Sequence, residues 1–226
     1  MLLFNLRLLW DDPLLFFLLL GTVALALLIA ITVHEFSHAL AADRLGDSTA
    51  RRLGRLSLNP LAHLDPVGTL MLFLVGFGWG KPVPVNPYLL RREPRKAMAL
   101  VSFSGPLANV VAAGLVAIPI RLGLVSWPFT SSLSYHGGIS WVSTILGFII
   151  FYNLILAVFN LIPIAPLDGF KVAVGVLPRN WAYSYARLEQ YGPMILLLFI
   201  VFSYATGFLW YILSHGVNFL AHLLVG

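Results

Sequence analysis

Four long stretches of the chain are almost free of charge. Twenty residues from Leu14 to Val33 carry none, and the run containing them extends from Pro13 to about Ala42. The second stretch is Ala97 to Ile120, the third lies between His136 and Asp168, and the fourth is Pro193 to Ser214. A membrane-spanning helix needs about 20 predominantly apolar residues, and all four satisfy that length. A shorter run, Val67 to Gly80, has 14 residues. It is too short to span comfortably and reads as a re-entrant or interfacial segment. Val83 and Val85, flanked by prolines, read as a short β-like edge strand after it, since proline cannot donate to a sheet ladder. The start, MLLFNLRLLW, and the tail, His215 to Gly226, are expected at the membrane surface. The expected fold is therefore an all-α polytopic membrane protein. It has about four full transmembrane helices, a re-entrant segment with a β-like edge, and interfacial terminal helices. No internal repeat is visible, and residues 1–226 read as one integral membrane domain, with a core at about 14–175 and a C-terminal span and tail at about 190–226.

Composition supports this reading. Of 226 residues, 59% are hydrophobic and 10% charged, against about 25% charged in ordinary soluble domains. A soluble domain with a large core is a poor fit. Cysteine is absent, so disulfides and thiolate metal sites are excluded, and a metal would be held by His, Asp or Glu. The net charge of +5 does not point to nucleic acid, because the basic residues lie between apolar runs. It points to membrane orientation and contact with anionic lipid. If Val67–Gly80 enters and leaves on one side, Arg44 to Arg55, Lys81 to Lys96 and Lys171 to Arg187 share a face. That face holds twelve of the fourteen basic residues, with Arg7 and Arg121 opposite. The positive-inside rule then puts the twelve in the cytosol and the N-terminus outside. The first apolar run is too long for a cleavable signal and carries the candidate site itself.

That site is His34-Glu35-Phe36-Ser37-His38. Residues four apart share a helix face, so His34 and His38 can chelate one ion with Glu35 beside them as general base. The five-residue pattern also occurs by chance, and two histidines and a glutamate could instead form a polar helix–helix contact. The setting adds weight, because a charge at the bilayer centre costs about 2.5–3.5 kcal/mol on insertion scales. Of nine acidic residues, Glu35 and Asp168 alone lie within or at the ends of apolar spans. Glu35 is eight residues before Asp43, roughly 12 Å along a helix, which places the site inside the bilayer nearer the cytosolic face. A catalytic zinc needs three protein ligands and one open position. His63, Asp65 and Asp168 are the candidates for the third. His63 and Asp65 sit in the turn-rich NPLAHLDP segment and are natural turn-capping groups. Asp168 is favoured, since it ends the third span at matching depth. Pro163 and Pro166 would unwind the chain before it and Gly169 permits a tight turn. Its competing role is a cap on the segment that follows.

HEFSHAL in the first span and NLIPIAPLDG (Asn160 to Gly169) after the third resemble the site-2 protease family of intramembrane zinc metalloproteases. NPLAHLDPVGTL, GWGKPVPVNP and SGPLAN look like its short prokaryotic branch, and together these motifs cover most of Ile31 to Gly169. The family often has proline where this chain has Ala165, and no inserted PDZ or CBS domain separates the motifs. The resemblance implies one Zn2+ held by His34, His38 and Asp168, with Glu35 as catalytic base. It implies that Asn160 positions substrate or stabilises an oxyanion, with Asn109 a second candidate for similar work. Both asparagines could instead serve helix–helix hydrogen bonding, and Asn153 reads as structural. Gly105, Ala108 and Ala112 read as close-packing positions. The implied reaction is hydrolysis of peptide bonds in or near transmembrane segments of membrane-protein substrates, in a prokaryotic plasma membrane. The edge segment would hold an unwound substrate by β-augmentation. The implied partners are a transmembrane protein or peptide substrate and the lipid bilayer, with no nucleic acid. The rival classes are a membrane zinc transporter or binding protein with a His/Glu/Asp site, and a catalytically silent relative.

Overall fold

A computed structural model describes residues 6–68, 80–91, 93–129 and 141–226. Its helices are α1 (Leu6–Asp11), α2 (Pro13–Arg44), α3 (Thr49–Arg52), α4 (Pro94–Arg121), α5 (Trp141–Asn160), α6 (Asp168–Val176), α7 (Arg179–Ala186), α8 (Gly192–Thr206) and α9 (Phe208–Val225). The protein is an all-α polytopic membrane protein. Among the described residues, five helical segments are long and apolar enough to cross a membrane: α2, α4, α5, the run Arg179–Thr206 and α9. The re-entrant expectation for Val67–Gly80 falls largely on residues 69–79, outside the described residues, as does the start of the third stretch at 136–140.

Helix α2 has 32 residues, about 48 Å of rise, which exceeds the roughly 30 Å hydrocarbon core. Its start is fixed by Asp12, whose carboxylate accepts from the Leu15 amide at 3.0 Å, and by Pro13 in the first turn. Such a cap satisfies an amide that the helix leaves unpaired. Its end turns through Gly46 at φ +114°, a conformation that favours glycine.

Helix α4 runs antiparallel to α2. His38 lies beside Val101, while Asn109 reaches Ala30 about two turns earlier on α2. Helix α5 runs parallel to α2, with Asn153 at the level of Asn109 and its C-terminal end leading to Asp168 beside His38. The packed interior mixes alanines with larger aliphatic residues. Ala113 and Ala117 of α4, Ile150 and Leu154 of α5, and Val217 of α9 form one buried cluster. Small residues let membrane helices approach closely, so that dispersion contacts accumulate.

The fourth apolar stretch differs from expectation. It is not one continuous helix from 193 to 214, and the residues from 215 continue the second of two helices. Gly207, at φ +73°, ends α8 and starts α9. A left-handed glycine is a common helix terminus, and hydropathy alone does not register it inside an apolar run. Helix α9 then packs through Gly216 against Val158 of α5, and Arg121 of α4 donates to the Leu223 carbonyl at 2.9 Å. The N-terminal part of α8 packs beside the turn after α5, with Leu196 buried against Ile162 and Leu167. Most of its remaining surface is exposed and apolar.

At the other end of α2 the connecting segments are tied to one another. Among the described residues the β pairing is a single antiparallel bridge, Leu64 to Gly80, extended by the Lys81 amide donating to the His63 carbonyl at 2.7 Å. Asp47, fully buried, accepts from the amides of Thr49 at 2.9 Å and Asn86 at 2.6 Å. Burial alone would raise the Asp47 carboxyl, but the bonds from Thr49 and Asn86 outweigh it and hold the group below the usual carboxylate range. A depressed carboxylate contributes stability above the ordinary carboxylate range, and that stability is lost as pH falls through the lowered value. Asp47→Ala is expected to destabilise the fold by about 1–3 kcal/mol. It should also speed amide exchange at Asn86 relative to α4, which hydrogen-exchange mass spectrometry would show; unchanged exchange there would refute the tie.

Candidate metal centre

His34 and His38 lie one turn apart on α2 and both are buried. Their rings meet edge to face, with centroids 4.6 Å apart. The Asp168 carboxylate reaches them from the first turn of α6, its Oδ2 lying 3.0 Å from His34 Nε2 and 3.1 Å from His38 Nε2. Ligand atoms of these three residues all lie within 4.8 Å of one another.

The far side of each ring is committed. His38 Nδ1 lies 2.7 Å from the Val101 carbonyl, an acceptor only, so Nδ1–H donates. His34 Nδ1 lies 2.7 Å from Asn109 Oδ1 and donates there. In the neutral rings the Nε2 atoms are then lone pairs, both facing a carboxylate oxygen. Three converging lone pairs repel unless a proton or a metal ion lies between them. Tetrahedral zinc with bonds of about 2.0–2.1 Å separates its ligand atoms by roughly 3.3 Å, close to the 3.0 Å and 3.1 Å between Asp168 Oδ2 and the two Nε2 atoms. The donor set and its outer hydrogen bonds therefore fit zinc.

Two local features make this packing possible. Gly105 of α4 faces the imidazoles. A Cβ there would lie 2.5 Å from His38 Nε2 and 2.7 Å from His34 Cε1. Pro106, next along α4, has no amide for the Ser102 carbonyl, and its ring crowds that carbonyl. On the Asp168 side, α5 ends at Asn160 and the chain turns through Leu161 to Leu167, with a cis Ala165–Pro166 bond. Gly169 sits where a Cβ would meet the Leu161 and Ile162 carbonyls. Tyr185 of α7 donates its hydroxyl to the Pro163 carbonyl and packs against Phe170 at 4.8 Å between centroids. Gly192 closes on Ala165 from the start of α8.

The other candidates separate clearly. His63 is buried, and its Nε2 donates to the Ser57 carbonyl at 2.7 Å. Asp65 accepts from the Gly68 amide at 2.7 Å. Both serve their own loop, and neither joins the His34–His38–Asp168 group. Glu35 shares the helix with the two histidines and turns toward the Gly80 backbone; a Cβ on Gly80 would lie 3.8 Å from Glu35 Oε1. The Asn160 side chain donates to the Leu156 carbonyl of its own helix at 3.0 Å, not into the cluster. Asn109 is fully buried, and its Nδ2 protons go to the Ala30 carbonyl at 2.9 Å and Asn153 Oδ1 at 2.8 Å. It has no proton left for an oxyanion and stands behind His34. Sequence reasoning read Gly105 as helix packing and Asn153 as structural, and gave neither a place at the metal centre. A glycine at close-packing spacing carries no sign of which side chain it faces.

Comparison with known proteins bears on the chemistry. A family model described as Peptidase family M50 matches residues 130–203. The protein named "Putative zinc metalloprotease YwhC" of Bacillus subtilis (strain 168) is 33% identical over 198 residues, covering 88% of each chain. "Putative zinc metalloprotease Rip2" of Mycolicibacterium smegmatis is 28% identical over 180 residues, 77% of this chain and 64% of that one. Its namesake in Mycobacterium tuberculosis (strain ATCC 25618 / H37Rv) is 30% identical over 177 residues, 76% of this chain and 63% of that one. No solved structure matches the chain. The relatives and the all-helical apolar fold together define a zinc metalloprotease built as an integral membrane protein. The chain belongs to Peptidase family M50, the site-2 protease family.

Proposed function

We propose that this protein is an intramembrane endopeptidase, hydrolysing peptide bonds in or near transmembrane segments of membrane-protein substrates. One zinc ion is held by His34, His38 and Asp168. The observation that carries the reading is the convergence of those three donors on apolar helices, with Glu35 beside them. Bound zinc supplies Lewis-acid polarisation of a carbonyl and acidifies water at neutral pH.

The protein's own residues do the rest. Glu35 accepts a proton from the attacking water on a carboxylate oxygen and returns it to the departing amine nitrogen. Asn109 and the Val101 carbonyl fix the ring orientations of His34 and His38. Asn160, at the mouth of the turn that carries Asp168, is the residue the family resemblance offers for substrate hydrogen bonding. The segment from Gly80 to Asn86, neither helical nor paired in a sheet beyond Gly80 and pinned by Asp47 and by the Leu64–Gly80 bridge, starts beside Glu35 and is the candidate to hold an unwound substrate segment. Of the three donors Asp168 is the most exposed, at 15%, and is the side from which water would enter. The twelve clustered basic residues support placing that side toward the cytosol of a prokaryotic plasma membrane, with the N-terminus outside.

The test is reconstitution in lipid nanodiscs with a single-span substrate, with and without a zinc chelator. Cleavage that stops with chelator and returns with added zinc is expected. Zinc uptake into proteoliposomes without any cleavage would instead establish a transporter.

A further inference from the structure

A hydrogen-bonded line crosses three helices behind His34. Asn153 of α5 donates from Nδ2 to the Ile149 carbonyl at 2.8 Å, and its Oδ1 accepts from Asn109 Nδ2 at 2.8 Å. Asn109 of α4 also donates to the Ala30 carbonyl of α2 at 2.9 Å, and its Oδ1 accepts from His34 Nδ1 at 2.7 Å. Both asparagines are fully buried and His34 is 4% exposed. Bulk solvent is therefore excluded from this line.

The direction of every bond is determined. The Ile149 carbonyl accepts only, so the Asn153 amide must turn its nitrogen there and its oxygen toward Asn109. Asn109 then faces two acceptors, the Ala30 carbonyl and Asn153 Oδ1, and must present its nitrogen to both. Its oxygen is left for His34, and that oxygen can only accept. His34 therefore carries its proton on Nδ1 and presents the Nε2 lone pair toward Asp168. Without Asn153, the Ala30 carbonyl alone would have to orient the Asn109 amide. A flipped amide would offer His34 a donor, and the imidazole would move its proton to Nε2, where it blocks a metal.

We infer that Asn153 is a positioning residue for the metal centre: through Asn109 it locks His34 in the tautomer that can bind zinc. It touches neither metal nor substrate. The inference rests on the proposed zinc site, deepens it, and assigns a role to a residue that reads from sequence as structural. Outer hydrogen-bond partners of metal ligands typically change metal affinity by 10–100-fold when mutated.

The test uses three full-length proteins in nanodiscs: wild type, Asn153→Leu and Asn153→Asp. Leucine has the same branched outline, is bulkier, and breaks the lock; the unfolding measurement separates its bulk from the lost hydrogen bonds. Aspartic acid, carried neutral in an apolar interior, has the outline of asparagine. Its hydroxyl can donate to Ile149 and its carbonyl can accept from Asn109. Zinc affinity is measured by chelator competition, cobalt substitution reports ligand geometry in the visible spectrum, and thermal unfolding of the metal-free proteins reports the fold. The expected result is zinc binding weakened at least about 10-fold in Asn153→Leu, with an altered cobalt spectrum, and restored to within about 3-fold in Asn153→Asp. Leucine and wild-type proteins with equal zinc affinity and cobalt spectra would overturn the inference. So would equal loss in both variants tracking lower unfolding temperature, which marks a purely structural role. A wild type that binds no zinc would instead remove the proposed zinc site itself.

Discussion

Glu35→Gln is expected to abolish peptide hydrolysis while leaving zinc content unchanged. Glutamine keeps the length and shape of the side chain on α2 but cannot take a proton from water. General-base catalysis contributes about 10²–10⁴-fold, so any residual cleavage should be slower by at least that range. The ligands are untouched, because the His34 and His38 far-side bonds run to Asn109 and Val101, not to Glu35. Metal analysis of the purified variant should match the wild type. Full activity in the variant would sink the assignment of Glu35. Loss of zinc together with activity would show that the carboxylate holds the metal centre in place.

The second large effect is expected from one methyl group. Gly105→Ala would put a Cβ 2.5 Å from His38 Nε2, 2.6 Å from His38 Cε1 and 2.7 Å from His34 Cε1. Such contacts are cheap when a flexible side chain can swing away. These rings cannot, since each is held on its opposite edge, His38 by the Val101 carbonyl and His34 by Asn109. Overpacking a filled interior costs about 1–3 kcal/mol. Falling on the ligands, that cost weakens zinc binding by roughly 5- to 150-fold and takes activity with it. Gly114→Ala, on the same helix, is the control: its Cβ would meet only a Leu224 methyl, at 3.4 Å. Zinc affinity measured for both variants checks the prediction, and equal affinity would contradict it.

The two variants also mark what the sequence made legible. The spacing of His34 and His38 specifies a shared helix face by geometry alone, with Glu35 next to it, so that half of the centre could be read directly. Asp168 was readable as a carboxylate at the end of an apolar span at matching depth, and by resemblance to a known family. The structure places it 3.0 Å and 3.1 Å from the two histidines. The positions of the first three apolar helices followed from hydropathy, and the fourth stretch proved to be two helices. What hydropathy could not supply was direction. A helix that is apolar all round has no periodic contrast to show which face meets which neighbour. Hence Gly105 could be recognised as small but not as the floor under two imidazoles. Asn109 could be recognised as buried and polar, yet its amide points to His34 and not to an open position. Asn153 was invisible as a site residue because its effect passes through another side chain. The break at Gly207 was hidden because the residues on both sides are equally apolar, and only backbone conformation separates α8 from α9.

The most direct test of the account is to map which bonds are cut. Membrane fractions from cells expressing wild-type protein and Glu35→Gln are compared by mass spectrometry for newly formed peptide termini. The account predicts termini within or at the edges of apolar segments of membrane proteins, present with wild type and absent with Glu35→Gln. Identical termini in both, or wild-type-specific termini confined to soluble domains, would contradict it.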